Sequence, residues 1–205
     1  MLAKLTLEDF LKKTASNEPV PGGGSIAALG GATAAALGEM VAGLTIGRKK
    51  YEAVEGAMLE VQEKAIVVRE KLLQDIDRDA DSYNSVMEAM KLPKETEEEK
   101  QARKEAIETA TKQAALIPLE VAKTTLEFMP LIQQVVEKGN QNAVSDGAVA
   151  AMMARTAVKA ALYNVKINLL GLKDEAFIAD LTPQIEAIEA QAEALEKSIL
   201  NQVNL

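Results

Sequence analysis

The stretch PVPGGGSIAALGGATAAALGEM, residues 19–40, decides how this chain folds. Its three consecutive glycines lose more backbone freedom on folding than other residues do, so they are expected where a Cβ atom would not fit. Ser25 follows them as a residue able to cap a helix. Small and apolar side chains from about Ser25 to Ile46 then predict a helix that neighbouring helices approach closely.

The start of this helix permits two interpretations. An anion or a carbonyl-rich ligand can approach the bare N–H groups of Gly22, Gly23 and Gly24, because no side chain stands in the way. Alternatively, the glycines form a tight turn beneath a close helix crossing. The Walker pattern is not matched, since no Lys-Ser or Lys-Thr pair follows the glycines, and nucleotide binding is therefore not predicted.

The composition is that of a helical protein without the usual catalytic side chains. Of its 205 residues, 48% are hydrophobic, 26% are charged and only 3% are aromatic, and we treat residues 1–205 as one domain. The sequence contains no histidine and no cysteine, which excludes imidazole proton transfer, thiolate chemistry and disulfides. Catalysis must therefore use carboxylates, amines, guanidinium groups, hydroxyls or amides.

Charge and hydropathy bear on where the chain acts. A net charge of −8 disfavours sequence-independent binding of nucleic acid. Glu8 and Asp9 interrupt the N-terminal residues before a signal-peptide core can form. Residues 19–38 lack charge, but their glycines and prolines, with Glu39 directly after them, favour a buried helix over a membrane span. We expect a cytoplasmic protein with no nucleic-acid or membrane partner.

Helical periodicity continues along the chain, and no segment shows the alternation of a strand. Thr6 opens a short helix, and Thr96 with Glu99 forms a capping box. Pro118 is expected to kink or interrupt the helix that follows, and Pro130 to begin another. Further helices are predicted over residues 51–90, 145–170 and 174–205. The fold class is therefore an all-α bundle of long and short helices.

The third predicted helix carries a cluster of acidic residues. At about 100° per residue, its apolar stripe centres near Ile76 and Ala80, with Asp79 roughly 60° from that centre and Asp75 and Asp77 near 100°. Asp79 is therefore the carboxylate that is expected to be partly buried, and burial raises a carboxyl pKa towards useful acid–base chemistry. The alternative is a solvated acidic face with one residue at its rim.

The predicted helix over residues 145–170 places Asn164 and Asn168 on an apolar side together with Asp146. Amides on such a side must be hydrogen-bonded or they cost stability, so they fit either a bridge between helices or the polar edge of a ligand. Asp146 lies at the start of this helix, so its presence there is also explained by the helix dipole, which favours an acid at the N-terminus.

Three cations of the same helix, Arg155, Lys159 and Lys166, share the opposite strip, which is expected to face solvent or an anion. No metal-ligand spacing stands out, since carboxylates without histidine suit at most Mg²⁺ or Ca²⁺, and no metal site is predicted.

Five motifs follow one another in the order PVPGGGSIAALGGATAAALGEMV, GRKKY, DRDADSYNSVMEAMKLPKETEEEK, GNQNAVSDGAVAA and YNVKINL. Together they resemble the family of formiminotetrahydrofolate cyclodeaminases and methenyltetrahydrofolate cyclohydrolases, which includes the C-terminal domain of bifunctional formiminotransferase-cyclodeaminase. The resemblance covers most of the chain. It implies an all-helical homodimer with a folate site in a cleft near the subunit contact, and no tightly bound cofactor. A formiminotransferase partner, if there is one, would be a separate chain.

The family's motifs carry over residue by residue. The glycine motif falls on Gly22, Gly23, Gly24 and Ser25, and the basic turn on Arg48. The acidic motif falls on Asp77 and Asp79, with Tyr83 at an aromatic position, and the later motifs fall on Gly139, Asn140, Ser145, Asp146, Asn164 and Asn168.

The resemblance implies a role for each of these side chains around a tetrahydrofolate derivative as substrate. Asp79 would stand beside the reacting one-carbon unit, and Asp146 would be a second acid–base group or a pterin contact. The substrate-binding residues would be Gly22, Gly23, Gly24, Ser25, Arg48, Asn140, Asn164, Asn168 and Lys166.

The expected reaction is cyclodeamination, in which N10 attacks the formimino carbon on N5 and ammonia leaves. Two alternatives remain open at this point. Hydrolysis of the methenyl group would use the same residues, and a non-catalytic helical dimer would keep only the fold.

Overall fold

The structure, a computed structural model, describes residues 1–204 and contains no strand within them. Three short 3-10 helices cover Leu2–Lys4, Lys49–Val54 and Gln141–Ala143. The longer elements are α1 (Leu7–Thr14), α2 (Gly23–Gly43), α3 (Glu55–Met90), α4 (Glu97–Lys138), α5 (Val144–Leu169) and α6 (Glu175–Leu200). The prediction of an all-α fold is confirmed.

Helix starts follow local side-chain chemistry at two of the predicted positions. The hydroxyl of Thr6 accepts a hydrogen bond from the backbone N–H of Asp9. Thr96 and Glu99 form a reciprocal capping box at the start of α4. The start of α2 differs from expectation, because Gly22 is its N-terminal cap and Ser25 lies inside the first turn without capping it.

The prediction that proline would divide the helices is wrong. Pro118 and Pro130 both lie inside α4, which runs without interruption for 42 residues, and Pro183 lies inside α6. A proline inside a helix removes one backbone hydrogen bond and costs about 3 kcal/mol. Pro118 lies on the buried side of α4, so packing of that long face against the core offsets the local cost.

Helix α2 lies at the centre of the bundle, where it packs against α3, α4 and α5. Its glycines permit that packing: a Cβ on Gly31 would lie 2.6 Å from Oγ1 of Thr125, and one on Gly38 would lie 3.0 Å from the ring of Phe128. Among the described residues, α2 is also the one helix long and apolar enough to cross a membrane, and half of that span is buried inside the fold.

Asp79 is partly buried, as predicted, but Asp75 is the most buried of the acidic residues on α3, although the helical wheel places it farther from the apolar stripe. Its side chain is 1% exposed and pairs with Lys71 and with Arg78, and Arg78 also pairs with Glu120 of α4. The apolar stripe alone does not predict the burial of Asp75, because α4 packs over that side of α3. The two cations compensate the charge of the buried carboxylate.

The basic strip of α5 is partly exposed, and the anions that it faces are carboxylates of the protein itself. Arg155 pairs with Glu196 at 2.9 Å, Lys159 with Glu193 at 2.6 Å, and Lys166 with Glu189 at 2.7 Å. All three carboxylates belong to α6. The strip therefore attaches α6 to the outside of the bundle.

Candidate active site

A cavity of about 330 Å³ lies where the glycine turn before α2 meets α3, α4 and α5. Larger clefts lie between α3 and α4 and between α5 and α6, but they lack a buried titratable group. The smaller cavity brings together three of the polar residues predicted for the site, Asp79, Asn164 and Asn168, with the three glycines. It is lined by Pro19, Val20, Gly22, Gly23, Gly24, Asp79, Ser82, Tyr83, Val86, Ala114, Asn164, Ile167 and Asn168.

Asp79 is the one charged residue among these lining residues, and it is partly buried. Ser25 is fully buried beneath it, and its hydroxyl lies 2.9 Å from Oδ2 of Asp79 and 3.0 Å from the carbonyl oxygen of Ile76. Burial raises the pKa of Asp79, while hydrogen bonds from the hydroxyl and backbone N–H of Ser25 oppose that rise. The result is a carboxylate shielded from water but held in one orientation.

The glycines bring the backbone of α2 directly against these side chains. A Cβ on Gly24 would lie 2.5 Å from Cγ of Asp79, and one on Gly23 would lie 3.1 Å from Nδ2 of Asn164. Any side chain at either position would therefore displace a polar group of the cavity. The interpretation as a close crossing is confirmed, and the turn also forms one wall of a cavity; ligand binding there stays a prediction.

Asn164 and Asn168 present hydrogen-bond acceptors to the cavity. Nδ2 of Asn164 donates to the carbonyl oxygen of Ala160. Nδ2 of Asn168 donates to the carbonyl oxygens of Ala114 and Asn164. Both side-chain oxygens and the second N–H of Asn164 are left to bind a ligand, and the oxygens suit N–H donors.

The remaining wall is apolar and carries no positive charge. Val20, Val86 and Ile167 supply aliphatic surface, and Tyr83 supplies a ring that is 37% exposed. Neither lysine nor arginine is among the lining residues described. A cationic group placed beside Asp79 would meet an uncompensated carboxylate in a partly shielded site, where electrostatic attraction is stronger than in water.

Four predicted site residues lie away from this cavity. Lys166 pairs with α6, and Asp146 lies in the first turn of α5, at the opposite end of that helix from Asn164. Arg48 follows the far end of α2. Asn140 is 6% exposed there and binds the end of α2 to the start of α5, through Leu44, Thr45 and Asn142.

Asp77 also lies outside the cavity. Its carboxylate accepts hydrogen bonds from the backbone N–H groups of Leu2 and Ala3, and it thereby fixes the first residues of the chain to α3.

Sequence reasoning missed the hydrophobic half of the cavity. Ser82 and Val86 follow Asp79 at helical spacing, so the same wheel that selected Asp79 could have found them. Ala114 and Ile167 carry no such signal, because α4 and α5 reach the cavity only through tertiary packing.

A continuous apolar surface, which we call the α2–α5 face, runs from the cavity to the far end of α2. The apolar sides of α2 and α5 meet where Gly30 of α2 packs against Ala157 and Met153 of α5. The exposed apolar members of this face are Ile26, Met40, Leu44, Val149, Met152, Tyr163 and Ile167.

Known proteins resemble the chain over nearly its whole length. A family model described as formiminotransferase-cyclodeaminase matches residues 6–187. The chain is 41% identical over 203 residues to a methenyltetrahydrofolate cyclohydrolase of Methylorubrum extorquens, covering 99% of this chain and 98% of the relative. It is 34% identical to the formimidoyltransferase-cyclodeaminase of Sus scrofa over 96% of its own length but only 36% of that protein.

A solved structure extends the likeness to three dimensions. The formiminotetrahydrofolate cyclodeaminase of Thermotoga maritima superimposes with a TM-score of 0.89 at 30% identity, covering 99% of this chain and 98% of that one. Motifs, sequence relatives and fold therefore agree. The chain belongs to the formiminotransferase-cyclodeaminase family.

Proposed function

We propose that this chain is a folate one-carbon enzyme that converts 5-formiminotetrahydrofolate to 5,10-methenyltetrahydrofolate with release of ammonia. The observation that carries the proposal is Asp79, a shielded carboxylate in a cavity whose described lining has no cation. The protonated formimino group and the methenyl product are both cationic. A carboxylate fixed beside the shared carbon stabilises that charge throughout the reaction. The family membership favours an enzyme over a non-catalytic scaffold.

The chemistry requires one proton to move between two nitrogens. N10 attacks the carbon of the protonated formimino group, which forms the new C–N bond and leaves the extra proton on N10. That proton must reach the departing nitrogen before the second C–N bond breaks and ammonia leaves. Asp79 suits this transfer because its pKa is raised by burial. The step neither oxidises nor reduces the substrate, so it needs no redox cofactor.

Asn164 and Asn168 are proposed to bind the pterin. Their side-chain oxygens accept hydrogen bonds, and the pterin edge presents amide and amino N–H groups. The cavity is at the small end of the range for ligand sites, so it suits the ring system, with the glutamate tail outside. In the proposed site Asp146, Asn140 and Lys166 make no contact with the pterin held in their own protomer.

Methenyltetrahydrofolate cyclohydrolase activity is the second candidate, and a specific observation favours it. The relative that is 41% identical over nearly the whole of both chains carries that name. In that reaction water attacks the same cationic carbon, one proton is lost, and ring opening leaves 10-formyltetrahydrofolate. Asp79 would then accept a proton from the attacking water.

We also propose that two copies associate through the α2–α5 face. Two adjacent helices, each about 30 Å long and roughly 10 Å wide, present on the order of 600 Å² per copy. The total of about 1,200 Å² reaches the lower end of the range for specific interfaces. A surface with this many exposed apolar side chains suits a second copy of itself. A separate formiminotransferase would supply the substrate of the deaminase reaction.

The decisive experiment assays both reactions with one preparation. Ammonia release from 5-formiminotetrahydrofolate and loss of 5,10-methenyltetrahydrofolate absorbance are measured for wild type, Asp79→Asn and Asp81→Asn. Asp81 is exposed on the same helix and is the matched control. The faster wild-type reaction identifies the activity, and only Asp79→Asn should abolish it. Equal rates in wild type and Asp79→Asn, or no reaction with either substrate, would contradict the proposal.

A further inference from the structure

Ser82 follows Asp79 by three residues on α3, and both side chains line the same cavity. Residues three apart on a helix are neighbours, with about 5–6 Å between their Cβ atoms. Ser82 is partly buried, as Asp79 is, whereas Asp81 between them is exposed. The cavity therefore has a hydroxyl group next to its one carboxylate.

The hydroxyl of Ser82 faces a ligand as an acceptor of hydrogen bonds. Its Oγ donates to the backbone carbonyl oxygen of Asp79 at 2.7 Å, which engages the one proton of the hydroxyl. The lone pairs of Oγ stay available. The carboxylate of Asp79 is an acceptor as well, and the hydroxyl of Ser25 occupies only part of its capacity. Two acceptors thus stand side by side at the position proposed for the one-carbon unit.

The bond that Ser82 makes to its own helix does not by itself indicate a ligand. Serine in a helix commonly binds the carbonyl three or four residues earlier. Ser85 does so at 2.9 Å, with the carbonyl oxygen of Asp81, and its side chain is exposed. Ser82 differs from Ser85 in position, because it lines the cavity beside the carboxylate of Asp79.

The group that leaves in cyclodeamination is rich in hydrogen-bond donors. Once N10 has attacked and the proton has moved, the departing nitrogen is an –NH3⁺ group with three N–H donors and no lone pair. The C–N bond then breaks, and its electron pair leaves with ammonia. A lone pair of N5 or N10 forms the double bond of the cationic methenyl bridge. Acceptors beside this nitrogen stabilise its protonated form, and hydrogen bonds from a charged donor are roughly twice as strong as neutral ones.

From this arrangement we propose that Ser82 binds the departing nitrogen together with Asp79. Ser82 accepts a hydrogen bond from one N–H of the –NH3⁺ group, and the carboxylate of Asp79 accepts another. The two contacts keep the leaving nitrogen protonated and fix its direction of departure. This inference rests on the proposed deaminase reaction. In hydrolysis the attacking water would occupy the same position, but a neutral donor gains less from the contact.

Ser82→Ala tests this contact. The kcat for ammonia release should fall by about 10- to 100-fold, because a hydrogen bond from a charged group is lost. Hydrolysis of 5,10-methenyltetrahydrofolate should fall by less, about 2- to 10-fold. The KM for each folate should stay within about twofold of wild type, since the proposed pterin contacts are intact. Ser85→Ala is the matched control, because it removes the same kind of helix bond outside the cavity.

Inhibition by ammonium is a measurement that a merely structural role would not change. Formation of 5,10-methenyltetrahydrofolate is followed by absorbance with increasing ammonium chloride, and sodium chloride at the same ionic strength is the reference. Ammonium bound between Ser82 and Asp79 should inhibit wild type and Ser85→Ala equally. Ser82→Ala should need about tenfold more ammonium for the same inhibition.

The outcomes separate this inference from the proposed function. Unchanged turnover in Ser82→Ala, or equal losses in both reactions with unchanged ammonium inhibition, overturns the role of Ser82 and leaves the reaction intact. A wild-type protein that hydrolyses 5,10-methenyltetrahydrofolate but releases no ammonia also overturns it, and the second candidate activity then stands. A wild-type protein inactive on both folates overturns the proposed function itself. A larger loss in ammonia release, with weaker ammonium inhibition, supports the contact.

Discussion

The carboxylate of Asp79 and the hydroxyl of Ser25 form a hydrogen-bonded pair between α3 and α2, with 2.9 Å between Oγ and Oδ2. Ser25 is fully buried, so water does not compete for this contact. The backbone carbonyl oxygen of Ile76 lies 3.0 Å from the same hydroxyl, so the two acceptors share its one proton. Ser25 therefore acts as a positioning residue, because it holds Asp79 without lining the cavity itself.

Asp79→Asn is expected to abolish turnover and spare the fold. An amide carries no negative charge and cannot accept the proton, so kcat should fall by at least about 10²-fold. Far-ultraviolet circular dichroism should still show the wild-type helix content. Near-normal turnover with either folate would remove Asp79 from the mechanism.

The same substitution should stabilise the protein at neutral pH. Burial raises the pKa of Asp79 above its ordinary value of 3.8, so the folded state holds the proton more tightly than the unfolded state does. Its contribution to stability is therefore complete below pH 3.8 and is lost as the pH rises through the raised pKa. The Tm of Asp79→Asn should exceed that of wild type at pH 7, and the difference should shrink towards pH 4. A variant less stable than wild type at pH 7 would contradict this account.

Ser25→Ala should change the pH dependence of activity. The lost hydroxyl hydrogen bond favours the ionised carboxylate, so its removal raises the pKa of Asp79 further, while the backbone N–H of residue 25 remains. The acidic limb of kcat/KM should move to higher pH, with a loss of about tenfold at neutral pH. Ser85→Ala is the control, since Ser85 is exposed and binds only the Asp81 carbonyl. An unchanged pH profile in Ser25→Ala would exclude the positioning role.

Gly24→Ala tests the close approach of α2 to the carboxylate. The added methyl group overlaps Asp79, so the variant should lose about 1–3 kcal/mol of folding free energy and most of its activity. Gly56→Ala is the matched control in α3, where a Cβ meets nothing within 4 Å. That control should gain about 0.5–1 kcal/mol, because alanine favours the helix. Chemical denaturation measures both, and equal stability of the two variants would refute the contact.

Asp75→Ala separates stability from catalysis on the same helix. Asp75 is buried and paired with Lys71 and Arg78, whose side chains are themselves partly exposed. Its removal should cost about 2 kcal/mol, below the range for wholly buried pairs, because water can solvate the two cations left behind. Activity per folded molecule should stay near that of wild type. Loss of turnover at full folding would assign Asp75 a role in the reaction.

The positions of the helices along the chain were largely predictable, because they depend on local periodicity and capping. Thr6 and the Thr96–Glu99 pair begin helices where their side chains can bind free backbone N–H groups. The effect of Pro118 and Pro130 was predicted wrongly because it depends on tertiary packing and not on local sequence. Their local cost is real, but a long face buried against α2, α3 and α5 outweighs it, and no local rule measures that packing.

The sequence by itself determined the helical class, the family and the candidacy of Asp79, Asn164 and Asn168, since these follow from periodicity and ordered motifs. Only the tertiary structure decided which candidates meet. In the folded protein the glycine turn lies against Asp79 and Asn164, and Lys166 pairs with a carboxylate of α6. Arg48 lies about 30 Å from the cavity. The physical reason is that a motif records residue types along the chain, whereas a site depends on which helix faces pack together.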